Sequence, residues 1–313
     1  MFDLQSLPGQ DTNRQIFKTN GITNAWYTWI KPKNINMVHI TCIGGGGGGG
    51  AGWGATLNSG TGGGGGGSSA ISIGIFQAAL LPDNLYIQVG TGGSRGVSNG
   101  QAGGAGALSY VSVIPSQTAI NILLASGNNG AGGGGGGAGS VQGTAGTAGS
   151  IYTPSTKPFG YLGILNLIAG QIGGTGGSVT PGAGGSITIT LPVTAGAGGG
   201  GLDLSGNGAS GGAITGAGFI PTAPGLTAQA TTYLKGAPGF TSLPSDNNNQ
   251  KYPMFFTGGV GGGTGTSSTS GFGGDGGWGS FGSGGGGGGA CNTTGGQGFG
   301  GKGGDGIVII TCY

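Results

Sequence analysis

Few side chains in this sequence belong to the types that carry out acid, base or nucleophilic chemistry. His39 is the single histidine, and it lies in the segment VHITC on the face opposite the apolar residues. No second histidine and no cluster of cysteine and carboxylate side chains accompanies it, so a structural role is favoured over that of a base or ligand. No G-x-S-x-G elbow lies between a predicted strand and a predicted helix. We therefore predict no catalytic residue and a protein that is not an enzyme.

Glycine-rich loops that hold phosphate groups are the second chemistry to consider. The pattern G-x-G-x-x-G occurs many times, but in so glycine-rich a chain it carries almost no information. A phosphate loop also needs Gly-Lys followed by Ser or Thr, because the lysine binds phosphate and the hydroxyl binds magnesium. The one Gly-Lys-Gly, with Lys302 at its centre, lacks that hydroxyl and precedes no predicted helix. We expect no nucleotide and no other cofactor.

Two aspartates in glycine-rich surroundings resemble parts of calcium sites. Asp275 and Asp305 each lie between glycines, but neither has a second carboxylate nearby and no nonapeptide period connects them. We interpret them as turn residues whose side chains bond the local backbone, and we predict no metal site. Three cysteines are too few for a disulfide-built scaffold, and they are either small apolar residues or include a single bridge.

The composition excludes several classes of protein. Of 313 residues 90 are glycine, only 5% are charged, and there is no glutamate. Glycine is unfavourable in helices by about 1 kcal/mol per residue relative to alanine, which excludes an ordinary helical domain. A net charge of +2 with scattered lysines and arginines argues against binding to nucleic acid. No run of apolar residues is long enough for a membrane span, and the first residues lack the features of a signal peptide.

The elements that position any functional residue are short strands with alternating apolar residues. Val38, Ile40 and Cys42 share one face, and the same alternation recurs at several other segments. These are 71–75, 85–89, 111–113, 120–124, 187–191 and 307–309. Residues 15–19 and 25–31, joined by Asn20 and Gly21, are typical of a hairpin. Residues 160–172 form the only weak helical candidate. The predicted fold class is all-β, with short-stranded, β-sandwich-like sheets and essentially no α-helix.

The two ends of the chain contain similar strands. Residues 38–42 read VHITC and residues 308–312 read VIITC, so we expect the segment 306–312 to pair near 37–43. This pairing divides the chain into an N-terminal attachment segment, residues 1–43, and a glycine-rich body, residues 44–313, that the last strand closes.

Dense glycine tracts separate the strands. They cover residues 44–50, 62–67, 132–137, 198–201, 261–263 and 284–289. Tracts of this kind are flexible linkers unless they pack, but here they start directly from strands and alternate with residues of buried type such as Trp53. Polyglycine adopts the polyproline-II helix, and without Cβ atoms such helices approach closely and bond laterally. We therefore predict a bundle of packed polyglycine-II helices.

The connections between tracts contain Asn, Ser, Thr, Pro and aromatic residues, which make adaptable contacts at loop tips. The alternative is that these segments only turn the chain. As exposed residues that contact a receptor or partner we select Arg95, Tyr152, Lys157, Lys251 and Tyr252.

As a whole, the chain resembles the glycine-rich proteins of tailed bacteriophages, including tail-fibre tip adhesins with a polyglycine-II core. The opening NAWYTWIKPKNINMVHITCIGGGGGGG, the middle LPDNLYIQVGTGG and the close GGKGGDGIVIITCY carry the resemblance. Trp29, Pro32 and the ending 304–310 are its most specific parts.

The resemblance implies a structural component of the virion, at a tail fibre, tip or appendage, that mediates attachment to the host surface. Expected partners are a host receptor, either a glycan or an outer-membrane protein, other virion proteins, and further copies of the chain, with a trimer favoured by analogy. The expected location is the virion, after assembly in the host cytoplasm. The alternative is a secreted, self-assembling glycine-rich filament, matrix or ice-binding protein.

Overall fold

The computed structural model describes residues 14–22, 24–54, 59–127, 130–153, 162–180, 182–216, 235–242, 254–265, 271–292 and 296–313. Within them the regular elements are strands and two short 3-10 turns, and the prediction of an all-β fold is confirmed. The strands are β1 (Arg14–Lys18), β2 (Trp26–Ile30), β3 (Met37–Ile43), β4 (Ile71–Gln77), β5 (Asn84–Gln88), β6 (Tyr110–Ser112), β7 (Ile122–Ala125), β8 (Gly163–Ile168), β9 (Ile187–Thr188), β10 (Ile214–Thr215), β11 (Thr241–Ser242), β12 (Phe255–Phe256) and β13 (Ile307–Cys312); the 3-10 turns are Ala78–Leu80 and Ala119–Asn121.

Two antiparallel sheets enclose the main hydrophobic core. The first has the strand order β1-β13-β3-β4-β8, and the second has the order β2-β5-β6-β7. The core contains Val38, Ile40 and Cys42 from the first sheet, and Trp29 and Leu85 from the second, all of them buried. Burial of alternate residues from both sheets is the packing of a β-sandwich.

The strands near the two ends of the chain lie side by side. β13 pairs antiparallel with β3, so that Val308 is opposite Cys42 and Ile310 is opposite Ile40. β1 covers the other edge of β13. Strands from both sides of residue 43 therefore belong to one sheet, and the glycine-rich segments lie between them in sequence.

Two local predictions are wrong. β1 and β2 are not paired with each other, because β1 pairs with β13 and β2 pairs with β5 in the other sheet. Gly21, with φ of +83°, lets the chain turn between the sheets instead of closing a hairpin. The helical candidate at 160–172 contains the edge strand β8. Leu165 and Leu167 pack against the main core while Ile164 is exposed, which is the alternation of a strand.

The glycine tracts form a bundle of extended helices that bond to one another with a period of three residues. In the helix 44–53, every third backbone amide donates to the carbonyls of the same neighbouring helix. The amides of residues 45, 48 and 51 donate to the carbonyls of 107, 104 and 101, and those of 46, 49 and 52 donate to 304, 301 and 298. The amides of 47, 50 and 53 donate to the carbonyls of 67, 64 and 61. Its carbonyl groups accept from three further helices, at residues 93–100, 134–137 and 285–288. Six neighbours in a three-residue repeat are the geometry of packed polyglycine-II helices.

The number of glycines per turn follows the number of neighbours. In the surrounded helix 44–53, a Cβ on Gly47 would lie 2.0 Å from the carbonyl oxygen of Gly132, and one on Gly49 would lie 1.9 Å from that of Gly286. The edge helix 271–280 reads GFGGDGGWGS and keeps two glycines in three. The outer helix 143–149 reads GTAGTAG and has one glycine in every three residues. These glycines are buried, whereas the threonines are exposed.

Serine side chains connect the strands to the bundle. At this boundary the two-residue period of a sheet meets the three-residue period of the helices, and some backbone groups lose their regular partners. The hydroxyl of Ser109 donates to the carbonyl of Ile43 at 2.7 Å and accepts from the amide of Gly90 at 3.0 Å. The hydroxyl of Ser69 accepts from the amide of Gly44 at 2.9 Å. The sandwich and the bundle are thereby joined.

Candidate binding surface

The residues selected from the sequence fall in different places. Arg95 lies at the bundle surface and is half-buried. The expectation that Tyr152 is exposed is wrong, because its ring is fully buried in the main core and its hydroxyl donates to the carbonyl of Leu123 at 3.3 Å. Burial also raises the pKa of this phenol. Lys157, Lys251 and Tyr252 lie outside the described residues.

One edge helix presents large side chains at every third position. In the helix 271–280 these are Phe272, Asp275 and Trp278, which we call the aromatic ridge. Phe272 is 53% exposed and Trp278 is 57% exposed, while the intervening glycines face the bundle and are buried except for Gly279, which is half-buried. Because three residues of this helix rise about 9 Å, the two rings are roughly 19 Å apart along one straight line. The backbone therefore fixes the spacing of the side chains.

The next helix, residues 296–306, carries a second ridge beside the first. Phe299, Lys302 and Asp305 occupy its outward positions, and the amides of Gly276 and Gly279 bond the carbonyls of Phe299 and Lys302. The helix at residues 93–100 lies on the other side of this second ridge, and its Arg95 has its guanidinium 5.2 Å from the centre of the Phe299 ring. At this distance a cation is attracted to the face of an aromatic ring. Arg95 is held beside the aromatic residues that sequence reasoning did not select.

A groove of about 280 Å³ runs along the aromatic ridge. Arg95, Lys235, Pro238, Asp275 and Trp278 line it together with glycine backbone. The carboxylate of Asp275 lies 3.6 Å from the ammonium of Lys235. The groove thus combines an exposed indole with a guanidinium, and Trp and Arg are residue types that contribute strongly to protein interfaces.

The two aspartates bond distant backbone, so the interpretation as local turn residues is wrong. Asp275 Oδ1 accepts from the amide of Phe299 at 2.9 Å, and Asp305 Oδ1 accepts from the amide of Gly92 at 2.8 Å. Each carboxylate replaces a carbonyl as the acceptor between two helices of the bundle. Lys302 also contacts Asp305 at 3.2 Å. In the described part of the chain, no three His, Cys, Asp or Glu side chains lie together as a metal site.

The histidine and two of the cysteines lie in the first sheet, whereas Cys291 is paired with Gly54 at the end of the helix 44–53. His39 is half-buried between Thr311 and Ile75 of the neighbouring strands, and burial lowers its pKa. Cys42, Cys291 and Cys312 are buried, and burial raises the pKa of the Cys42 thiol. Cys42 and Cys312 belong to the main core, which is the environment expected of small apolar residues.

The aromatic ridge could have been found from the sequence by its period. The segment from 272 to 278 has a large residue at each third position and glycine between, as has the segment from 299 to 305. In a helix with three residues per turn, such positions share one face. Arg95 was selected as a loop residue, but it occupies the same kind of position in the helix that begins at Gly90.

A known family matches part of the chain. Residues 22–130 match the family model of a glycine-rich domain. The matched region contains β2 to β7 and the surrounded helix 44–53, so it covers the second sheet completely and part of the bundle. No curated protein matches the chain. Among the described residues, no helix has the length and apolar character needed to cross a membrane.

Proposed function

We propose that the chain is a non-enzymatic structural component of a bacteriophage virion, at a tail fibre, tip or appendage, that attaches the particle to the host surface. The proposal includes assembly in the host cytoplasm and a homo-oligomer, with a trimer favoured by analogy. It rests on the resemblance of the opening, middle and closing segments to phage glycine-rich proteins, and on the physical character of the bundle and its surface.

The observation that carries the proposal is the array of outward side chains on a backbone-bonded bundle. In the helix 44–53 each amide from Gly45 to Trp53 donates to a neighbouring helix, at distances of 2.7–3.0 Å. Such a body resists bending because deformation breaks several hydrogen bonds at once. An attachment protein needs a stiff support that presents contact groups without loss of conformational entropy on binding. The aromatic ridge meets this requirement.

The chemistry of the surface is suited to contact with a receptor. Trp and Arg are among the residues that dominate binding free energies at interfaces, because they bury much area with few rotatable bonds or donate several hydrogen bonds. Trp278 and Arg95 line the same groove, and Phe272 extends the apolar surface along the ridge. Removing the two exposed rings should weaken attachment while leaving the glycine packing intact.

The experiment measures binding of the fluorescently labelled chain to a panel of intact bacterial strains by flow cytometry. The double variant Phe272→Ala, Trp278→Ala is compared with Ile172→Ala, which removes a side chain that is 60% exposed on another edge helix. We expect the ridge variant to lose at least about tenfold in affinity, and the Ile172 variant to retain wild-type affinity.

The place of the chain on a particle is tested by mass spectrometry of phage particles purified from a lysate that produces it. Detection of the chain in the particles supports the proposal. Absence of the chain from the particles refutes its location in the virion. Binding to bacteria that is unchanged in the double variant Phe272→Ala, Trp278→Ala refutes attachment through the aromatic ridge.

One observation favours the alternative of an ice-binding protein. In the helix 143–149, Thr144 and Thr147 are exposed and separated by one turn, or about 9 Å. Thr175 is exposed on the adjacent helix. A rigid, regular array of hydroxyl and methyl groups is a surface that can order water. Thermal hysteresis that Thr147→Lys abolishes would establish this alternative, and fibres formed by the purified chain would establish the filament.

A further inference from the structure

A second pocket lies where the bundle meets the second sheet, away from the aromatic ridge. Its volume is about 240 Å³, which is below the range of pockets for drug-sized molecules and suits a single small ring. β5 continues through Val89 into the helix that begins at Gly90, and the helix that ends at Ala107 continues into β6. The pocket is lined by these two connections, which are bonded to each other from the amide of Ala107 to the carbonyl of Thr91, and by Asn24 and Gln117.

The lining is polar and uncharged. Three amide side chains contribute to it, those of Asn24, Gln88 and Gln117, together with Thr91 and the ring of Tyr110. None of the nine lining residues, all of which are described, carries a charge. A charged ligand would lose its hydration here without gaining an opposite charge. The lining therefore favours a neutral, polar ligand.

An unsatisfied donor in the wall strengthens this conclusion. The side chain of Gln88 is 3% exposed, and its Oε1 accepts a hydrogen bond from Nε2 of Gln117. Within the described part of the chain, Nε2 of Gln88 has no hydrogen-bond partner. Buried amide groups are normally bonded, so this group requires an acceptor. Gln88 is opposite Tyr110 in the sheet, and directly opposite residues share one face.

We infer that this pocket binds a single neutral pyranose unit of a saccharide. An amide presents a donor and an acceptor side by side, and each sugar hydroxyl both donates and accepts, so Asn24 and Gln117 can bond adjacent hydroxyls. A small rotation of the Gln88 side chain offers its free N–H groups to a third oxygen, and the ring of Tyr110 covers the apolar face of the sugar. The inference rests on the proposed function, since attachment to a host glycan gives the pocket its use.

The test uses the full chain and isolated sugars, so it does not depend on bacterial cells. Methyl α-glucopyranoside, methyl β-galactopyranoside and methyl α-mannopyranoside are titrated to about 50 mM and followed by saturation-transfer NMR, with glucuronate as a charged probe observed directly and inorganic phosphate as a charged probe observed by competition. We expect one of the neutral glycosides to bind with a Kd in the millimolar range, and the charged probes to bind at least about tenfold more weakly.

Two exposed amides that line the pocket can be replaced, although Gln117→Ala also removes the donor to Oε1 of Gln88. Asn24 has φ of +64°, so Asn24→Gly keeps its backbone conformation, and Asn34→Gly at φ of +62° is the matched control outside the pocket. Gln117→Ala has the exposed Gln142→Ala as its control. We expect the two pocket variants to weaken binding at least about fivefold each, the effect of one hydrogen bond, and the controls to leave it unchanged.

The outcomes separate this inference from the proposed function. Absence of binding by all three neutral glycosides, preference for a charged probe, or binding that Asn24→Gly and Gln117→Ala leave unchanged overturns the saccharide pocket, even if the chain attaches to bacteria through the aromatic ridge. Sugar binding that the pocket variants weaken supports the inference, even if the chain is absent from phage particles.

Discussion

Two adjacent glycines of the helix 101–107, Gly103 and Gly104, face different surroundings. Comparing the same substitution at both positions shows whether glycine is required by lateral packing rather than by the backbone conformation. A Cβ on Gly103 would lie 2.2 Å from the carbonyl oxygen of Gly48 in the surrounded helix. A Cβ on Gly104 would instead meet the hydroxyl of Ser94 at 2.6 Å and the backbone nitrogen of Ser94 at 3.1 Å, and Ser94 is exposed. Neither glycine has a positive φ, so alanine is compatible with both backbone conformations. The same substitution at these two positions therefore tests the lateral contact alone.

The expected difference follows from the distances. Ordinary contacts of a Cβ begin near 3.4 Å, so Gly103→Ala must move the neighbouring turn, residues 101–104, away from the helix 44–53 by about 1 Å. That shift stretches the bonds from Gly48 to Gly104 and from Ala51 to Gln101, now 2.9 and 2.8 Å, beyond hydrogen-bond range. Two lost bonds at about 1 kcal/mol each, with overpacking of about 1 kcal/mol or more, lower the free energy of unfolding by about 3 kcal/mol.

Gly104→Ala is expected to change the free energy of unfolding by no more than about 1 kcal/mol, because the Ser94 hydroxyl can rotate, the Ser94 backbone needs to yield by only a few tenths of an ångström, and alanine reduces the entropy of the unfolded chain. Urea denaturation followed by tryptophan fluorescence measures both variants. Equal effects of the two substitutions, in either direction, would refute the argument that lateral backbone contact determines where glycine is required.

Three further predictions concern single side chains. Asp305→Ala should lower the free energy of unfolding by about 1–2 kcal/mol in urea denaturation, since it leaves the amide of Gly92 without its acceptor, whereas Asp83→Ala at an exposed ion pair should cost less than about 0.5 kcal/mol. Because burial lowers the pKa of His39, the unfolded chain binds more protons than the folded chain between the folded pKa and 6.5. The free energy of unfolding in urea should therefore fall as the pH drops from about 7.5 towards about 5.5, and His39→Phe should flatten this pH dependence. Cys42, whose pKa burial raises, should react with iodoacetamide only after unfolding; labelling of the folded chain, followed by mass spectrometry, would contradict its position in the core.

The sheets could be predicted from the sequence where one face is buried and the other is not. Val38, Ile40 and Cys42 alternate with polar residues, and they lie in the core as their period indicates. The segment 160–172 was harder because β8 has apolar residues on both faces, which hides the two-residue period. Asn20 and Gly21 correctly indicate a turn, but local turn chemistry does not say whether the strands on either side join the same sheet.

The bundle was predicted from the density of glycine, but its surface was not. The every-third pattern of Phe272, Asp275 and Trp278 indicates which side chains point outward once three residues per turn are assumed. Tyr152 shows the opposite difficulty, because an aromatic residue in an irregular segment has no period that distinguishes a buried ring from an exposed one. The pocket at Gln88 brings together residues from Asn24 to Gln117, and no short pattern contains them.

The three-residue repeat of the surrounded helix 44–53 constrains how the length of its glycine tract can change during evolution. Runs of glycine codons are repetitive DNA, in which replication slippage adds or removes single codons. Loss of one glycine from 44–50 rotates every later residue of that helix by a third of a turn and directs its amides to the wrong neighbours, whereas loss of three restores each pairing one turn further along. Surviving length variants of these tracts should therefore differ by multiples of three codons, a pattern that selection on the folded bundle would leave in the gene.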